Sequence, residues 1–215
     1  MEIPFFGQAI LKHSMIIIGL IIGSITYRHL SIGQKIIYTE LWFIAIFGAW
    51  AVIRINNGLY SIPVYSIGSL FFYGLELIYI DYELKVFRKK KLFRTLGILL
   101  LSGIPVHWVI VRSLNYFSDV LILIHLFFSF FLFYCIVNRP TNIANQILRW
   151  AFIIYWLGDL FYIVFQNSIS WEISTEFGIK IMSIHHKVTK LEEILISISF
   201  LMAYFQKKKT LQLQE

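Results

Sequence analysis

Four apolar stretches of this chain carry side chains that hydrocarbon does not tolerate alone. His107 lies in one, Asp119 and His125 in the next, Asp159 in a third, and His185, His186, Lys190, Glu192 and Glu193 in the last. An ionisable group in an apolar phase costs several kcal/mol unless it faces a partner or water, so each is a candidate for function. Two kinds of chemistry suit these types. Imidazole, ammonium and carboxylate around one void make a polar cavity for a small ligand. Histidine with carboxylate also suits zinc or iron, where three protein ligands and an open position make a catalytic site. A structural alternative stands beside both: Asp159 pairs with Lys187 or Lys190, and the polar part of the last segment stands in water.

Spacing narrows these choices. On an α-helix His186, Lys190 and Glu193 share one face, and His185, Thr189 and Glu192 form the neighbouring stripe. His185 and His186 point about 100° apart, so they do not easily share one ion. No pair has the HExxH spacing of zinc proteases. The chain has neither a phosphate-cradling glycine loop nor a nucleophile elbow, no cofactor is expected, and metal binding is left open.

The elements that must position these groups are membrane helices. Of 215 residues 58% are hydrophobic and 14% charged, and the mean hydropathy is +0.73. Soluble domains carry roughly 25% charged residues, and a water-soluble globule of this size could not hide so much apolar surface. Each crossing needs about 20 apolar residues. Seven apolar runs are present: 14–30, 36–53, 59–80, 96–111, 116–137, 147–165 and a last one, 180–205, that is polar to Glu193 and apolar from Ile194. The expected fold is therefore all-α, a polytopic transmembrane bundle of about seven helices over residues 1–206, with a short basic cytoplasmic tail at 207–215. The run 15–25 has no small-residue cleavage site after it and is read as the first membrane helix rather than a signal peptide.

Basic residues set the orientation. With the amino terminus outside and the carboxyl terminus cytoplasmic, Arg28, Lys35, the cluster Lys85, Arg88, Lys89, Lys90, Lys91 and Arg94, then Arg139, Arg149 and Lys207–Lys209, all fall inside, as the positive-inside rule expects. The net charge of +7 is thereby accounted for by topology and anionic lipid, and no nucleic-acid partner is expected. In this orientation the candidate groups lie at similar depth in the outer halves of helices four to seven, which together would wall a cavity open to the outside. Glu40 and Glu76, placed near inner helix ends, are expected to pair with Arg28, Lys35 or Lys85. Gly19 and Gly23 have the spacing that lets membrane helices approach closely, which leaves a homo-oligomer in play. Cys135 is the only cysteine, so the chain can form no internal disulfide.

Two stretches, 56–67 (Asn-Asn-Gly-Leu-Tyr-Ser-Ile-Pro-Val-Tyr-Ser-Ile) and 184–188 (Ile-His-His-Lys-Val), resemble a group of uncharacterised seven-helix membrane proteins frequent in Bacteroidota. That group has an asparagine turn, a carboxylate a few residues into the third helix and a histidine at the start of the last. Here Gly68 or Ser69 stands at the carboxylate position, so the group is missing or has moved to Glu76. The resemblance implies a fold and a bacterial cytoplasmic (inner) membrane location, not an activity.

Three functions follow as expectations. The first is a receptor-like or sensory subunit, with an outward polar cavity and a basic cytoplasmic loop that contacts a protein partner. The second is a transporter or oligomeric channel, including an accessory defence-type membrane protein. The third is an intramembrane metal-dependent lipid hydrolase, which needs His107, His125, His186 and Asp159 to converge.

Overall fold

A computed structural model describes residues 5–59, 62–84, 90–111, 118–168 and 175–212. Among them the chain forms seven α-helices and no strand: α1 (Phe5–Thr26), α2 (Ile32–Asn56), α3 (Ile62–Glu83), α4 (Lys90–Val111), α5 (Ser118–Asn138), α6 (Ile143–Ser168) and α7 (Thr175–Gln212). Three are long and apolar enough to cross a bilayer over the segments Ile32–Asn56, Val120–Asn138 and Ile143–Phe165, and Ser14–His29 is a shorter apolar helix.

Local chemistry sets the ends. Ser31 caps α2 reciprocally: its hydroxyl accepts from the Gln34 amide at 3.2 Å, and its own amide donates to the Gln34 side chain at 2.9 Å. This box starts α2 four residues before the apolar run does. At the other end Gly58 adopts φ +70°, open to glycine without steric cost, while the Leu59 amide bonds back to the Arg54 carbonyl at 2.9 Å. Asn142 caps α6 by accepting from the Asn145 amide at 2.8 Å. The polar stretch before Ile194 does not interrupt α7, because its Lys, Met, Leu and Glu residues are good helix formers. Its 38 residues make one helix about 57 Å long at 1.5 Å per residue.

Consecutive helices pack side by side, and α7 lies between α1 and α6, closing the ring. Gly23 lets Tyr38 of α2 lie flat on α1; a Cβ there would come 2.3 Å from the ring. Gly19 meets Leu41 of α2 and Ser197 of α7. The small-residue face of α1 is thus occupied within the chain. A second tie joins three helices: Gln34 donates to the carbonyl and hydroxyl oxygens of Ser199 on α7 at 3.0 and 2.9 Å, and the Ser199 hydroxyl donates to the Ala144 carbonyl of α6 at 2.8 Å.

The polarity of this bundle is inverted. Ile25, Leu99, Val109, Ile110 and Phe130 are exposed, while Glu40, Glu76, Glu83, His125, Arg149, Glu192 and Glu193 are buried. Chains folded in water bury charges of this kind almost never unless paired. An apolar exterior around ionisable groups, with three helices of spanning length, marks a membrane protein.

Candidate functional site

Side chains at helical spacing on four helices converge on one cavity of about 150 Å³. Helix α2 contributes Ile37, Glu40, Leu41 and Ile44, and α3 contributes Phe72, Tyr73 and Glu76; Tyr155 comes from α6, and Thr189, Glu192, Glu193 and Ile196 come from α7. Four carboxyl groups therefore face one small space. Glu40 and Glu193 are 5% and 8% exposed, and Oε2 of each has no hydrogen-bond partner. Glu76 accepts from the indole Nε1 of Trp156 at 3.0 Å. Among the described residues none of the four is in an ion pair.

A second cluster lies beside it, on α5, α6 and α7. His125 is wholly buried; its Nδ1 is 2.7 Å from the Leu121 carbonyl one turn earlier, and its Nε2 is 2.9 Å from Oδ2 of Asp159. A carbonyl only accepts, so Nδ1 carries the hydrogen and Nε2 faces the carboxyl group. Oδ1 of Asp159 lies 3.5 Å from Nδ1 of His185, whose ring stacks on Tyr162 at 4.4 Å between centroids. One carboxyl group thus joins two imidazoles from different helices. Gly158 makes this reach possible, since α6 and α7 approach so closely there that a Cβ would sit 2.5 Å from Val188.

The polar layer expected across helices four to seven is in fact two clusters. The structure brings His125, Asp159 and His185 together, and sets Glu192 and Glu193 in the cavity. His186 and Lys190 are exposed, although they share a helix face with Glu193. His107 is half-buried on α4, which lines no part of the cavity. Asp119 is the second residue of α5, and its side chain lies outside the described residues, as do Lys85, Arg88 and Lys89. Of the basic cluster, Lys90 and Arg94 pair with Asp81 at 3.1 and 2.8 Å, and Lys91 is exposed. Among the described residues no three His, Cys, Asp or Glu side chains are placed to hold a metal ion.

Glu40 and Glu76 take the central places, although the sequence reading gave them cationic partners at the inner face. A third polar group was also missed: Arg149, wholly buried, donates through Nε and Nη2 to Oε2 of Glu83, the former at 3.0 Å, and through Nη1 to the carbonyls of Cys135 and Arg139 at 3.2 and 2.7 Å. Arg139 donates in turn to the Glu83 carbonyl.

No protein-family model, curated protein or solved structure matches this chain. What the site can do is therefore read from its geometry. A small void, an acidic wall and aromatic rings suit the capture of a small ligand.

Proposed function

We propose that this chain is a receptor-like or sensory membrane subunit that takes a small ligand into the cavity between α2, α3, α6 and α7. One observation carries the reading: carboxylates that would cost several kcal/mol in a closed hydrocarbon interior are gathered around a void instead of being paired. In the proposed topology the amino terminus is outside and the seven helices alternate across a bacterial cytoplasmic membrane, in keeping with the resemblance to the Bacteroidota group. The described basic residues Lys90, Lys91 and Arg94 and the terminal lysines then face the cytoplasm, where a protein partner or anionic lipid would meet them. Of the two alternatives for the group's third-helix carboxylate, a loss or a move to Glu76, the move suits this reading, because Glu76 lies in the cavity.

Thermal unfolding of the purified full chain, against a panel of small charged and neutral molecules, tests the reading. A saturable rise in melting temperature is expected in the wild type and is lost in Ile44→Phe, which fills the void. A panel that leaves both proteins unmoved removes the support.

Transport is a second reading, favoured by the line His125–Asp159–His185. Chains of His and Asp side chains inside membrane bundles mark ion and proton pathways, and transporter sites lie near the bilayer midplane. Proteoliposomes that stay impermeable to protons and small cations with the protein inserted would speak against it.

A further inference from the structure

Four carboxyl groups line one void, and among the described residues no cation is in an ion pair with any of them. The nearest candidate, Lys190, interacts with Glu193 from one turn earlier on α7, yet its side chain is exposed and forms no ion pair. Trp156 offers Glu76 a neutral donor. The Glu40 and Glu193 Oε2 atoms, buried and without a partner, remain as vacant acceptors in the wall of the cavity. Across the cluster boundary the ionisable groups nearest these four are Asp159, with its two histidines, and Tyr155. Asp159 adds another acid to the same neighbourhood.

We infer that the cavity binds a small primary ammonium ion, with Glu40 and Glu193 as its anionic acceptors. An ammonium group is all donor, with three N–H bonds and no lone pair, and the two buried oxygens of this wall without a partner, Oε2 of Glu40 and Glu193, belong to carboxyl groups. Burial makes each charge-assisted bond stronger than its counterpart in water. The rest of the lining suits the remainder of such a ligand. Tyr73 and Tyr155 present aromatic rings that attract cations, and Ile44 and Ile196 give apolar surface for a short alkyl chain. Size sets the upper limit, since an apolar cavity of about 150 Å³ holds a molecule of benzene's size, about six heavy atoms. A bare metal ion fits less well: no three acidic or imidazole side chains among the described residues are placed to hold one, and a hard cation needs oxygen ligands converging at about 2.0–2.6 Å.

The inference rests on the ligand-binding reading, and the experiment separates the two. The full chain in nanodiscs is titrated with n-butylammonium and, separately, with n-butanol, its neutral counterpart of equal length, while thermal unfolding is followed. The ammonium ion is expected to stabilise saturably, with an apparent affinity at least about tenfold tighter than the alcohol, or about 1.4 kcal/mol. Glu40→Gln and Glu193→Gln keep the shape and remove the charge, and each is expected to lose about tenfold in affinity for the ammonium ion. Asp81→Asn, outside the cavity, should leave that affinity unchanged and so excludes a general charge effect. Equal stabilisation by ammonium and alcohol overturns the cationic ligand but leaves a cavity that binds small molecules. Stabilisation by neither overturns both. The wild-type comparison needs no variant, so a substitution that fails to fold does not blunt the test.

Discussion

At the end of α3 the buried carboxylate of Glu83 meets the buried guanidinium of Arg149; two turns earlier on the same helix, Glu76 opens onto a void shared with three more glutamates. Both places bury acid in the interior of one bundle. At Glu83 the charge is opposed, and both Nη1 donors of the guanidinium are taken by the carbonyls of Cys135 and Arg139. At Glu40 and Glu193 an oxygen is left without a partner. A buried charge whose hydrogen bonds are complete holds helices in place. A group of them left incomplete, beside empty volume, is poised for something that arrives from outside. The first cluster is read as architecture and the second as a site, although burial alone would have ranked them together.

The largest expected effect comes from breaking the complete cluster. Arg149→Met leaves the buried Glu83 with only Arg139, whose Nη1 is 3.6 Å from Oε2, and frees the Cys135 and Arg139 carbonyls from the guanidinium. Removing one partner of a buried ion pair costs about 3–5 kcal/mol. The variant is expected to express poorly and to melt well below the wild type. Adding Glu83→Gln in the same chain should recover part of the loss, because the buried charge is gone. A single Arg149→Met variant as stable as the wild type would erase the distinction between the two clusters.

Glu192→Gln tests the other side with the opposite sign. Glu192 is buried in the cavity wall with Glu40 and Glu193, and among the described residues it is in no ion pair. Glutamine keeps the shape, removes the cost of ionising a buried carboxyl group, and brings an amide that can donate to a neighbouring carboxyl group. A stabilisation of roughly 1–3 kcal/mol is expected, the size of the penalty for leaving a buried polar group unsatisfied. It would be read as a higher melting temperature in ligand-free detergent solution. A loss of stability would mean that the four acids are held together by partners of their own.

The contrast also shows which parts were legible before the fold was known. Each of the seven helices was marked by an apolar run, the seventh only from Ile194 onward. Depth was harder. Glu40 is the fifth residue of the run that starts at Ile36, which put it near the inner end; the Ser31–Gln34 capping box starts the helix at Ile32, so Glu40 is about 12 Å inside. Arg149 is likewise third in its apolar run but seventh in α6, because Asn142 begins that helix early. Both errors have one cause: helix ends were taken from where hydrophobicity stops, although caps decide where helices start. The meeting of His125, Asp159 and His185 could be suspected from shared depth. Which wall held the void could not, because helix neighbours across the ring are set by packing such as that of Gly158 on Val188, which no local pattern encodes.

The smallest effect is expected at a third kind of acid, paired but at the edge. Asp81 lies past the apolar run that ends at Ile80 and takes hydrogen bonds from Arg94 Nε and Nη2 at 3.3 and 2.8 Å, with Lys90 at 3.1 Å. Partial burial works against its ionisation, but the bonds from Arg94 and Lys90 and their positive charges prevail and hold its carboxyl below the usual range. A carboxyl group lowered on folding stabilises the fold above its unfolded pKa of about 3.9, and that contribution is lost as the pH falls through the folded value. Asp81→Asn should therefore lower the melting temperature slightly at neutral pH, and much less than Arg149→Met does. The gap to the wild type should close as the pH drops below about 4 and shrink in high salt, because exposed pairs are screened. A gap independent of both would show that Asp81 acts through packing rather than charge, and that an edge pair can resemble the buried one.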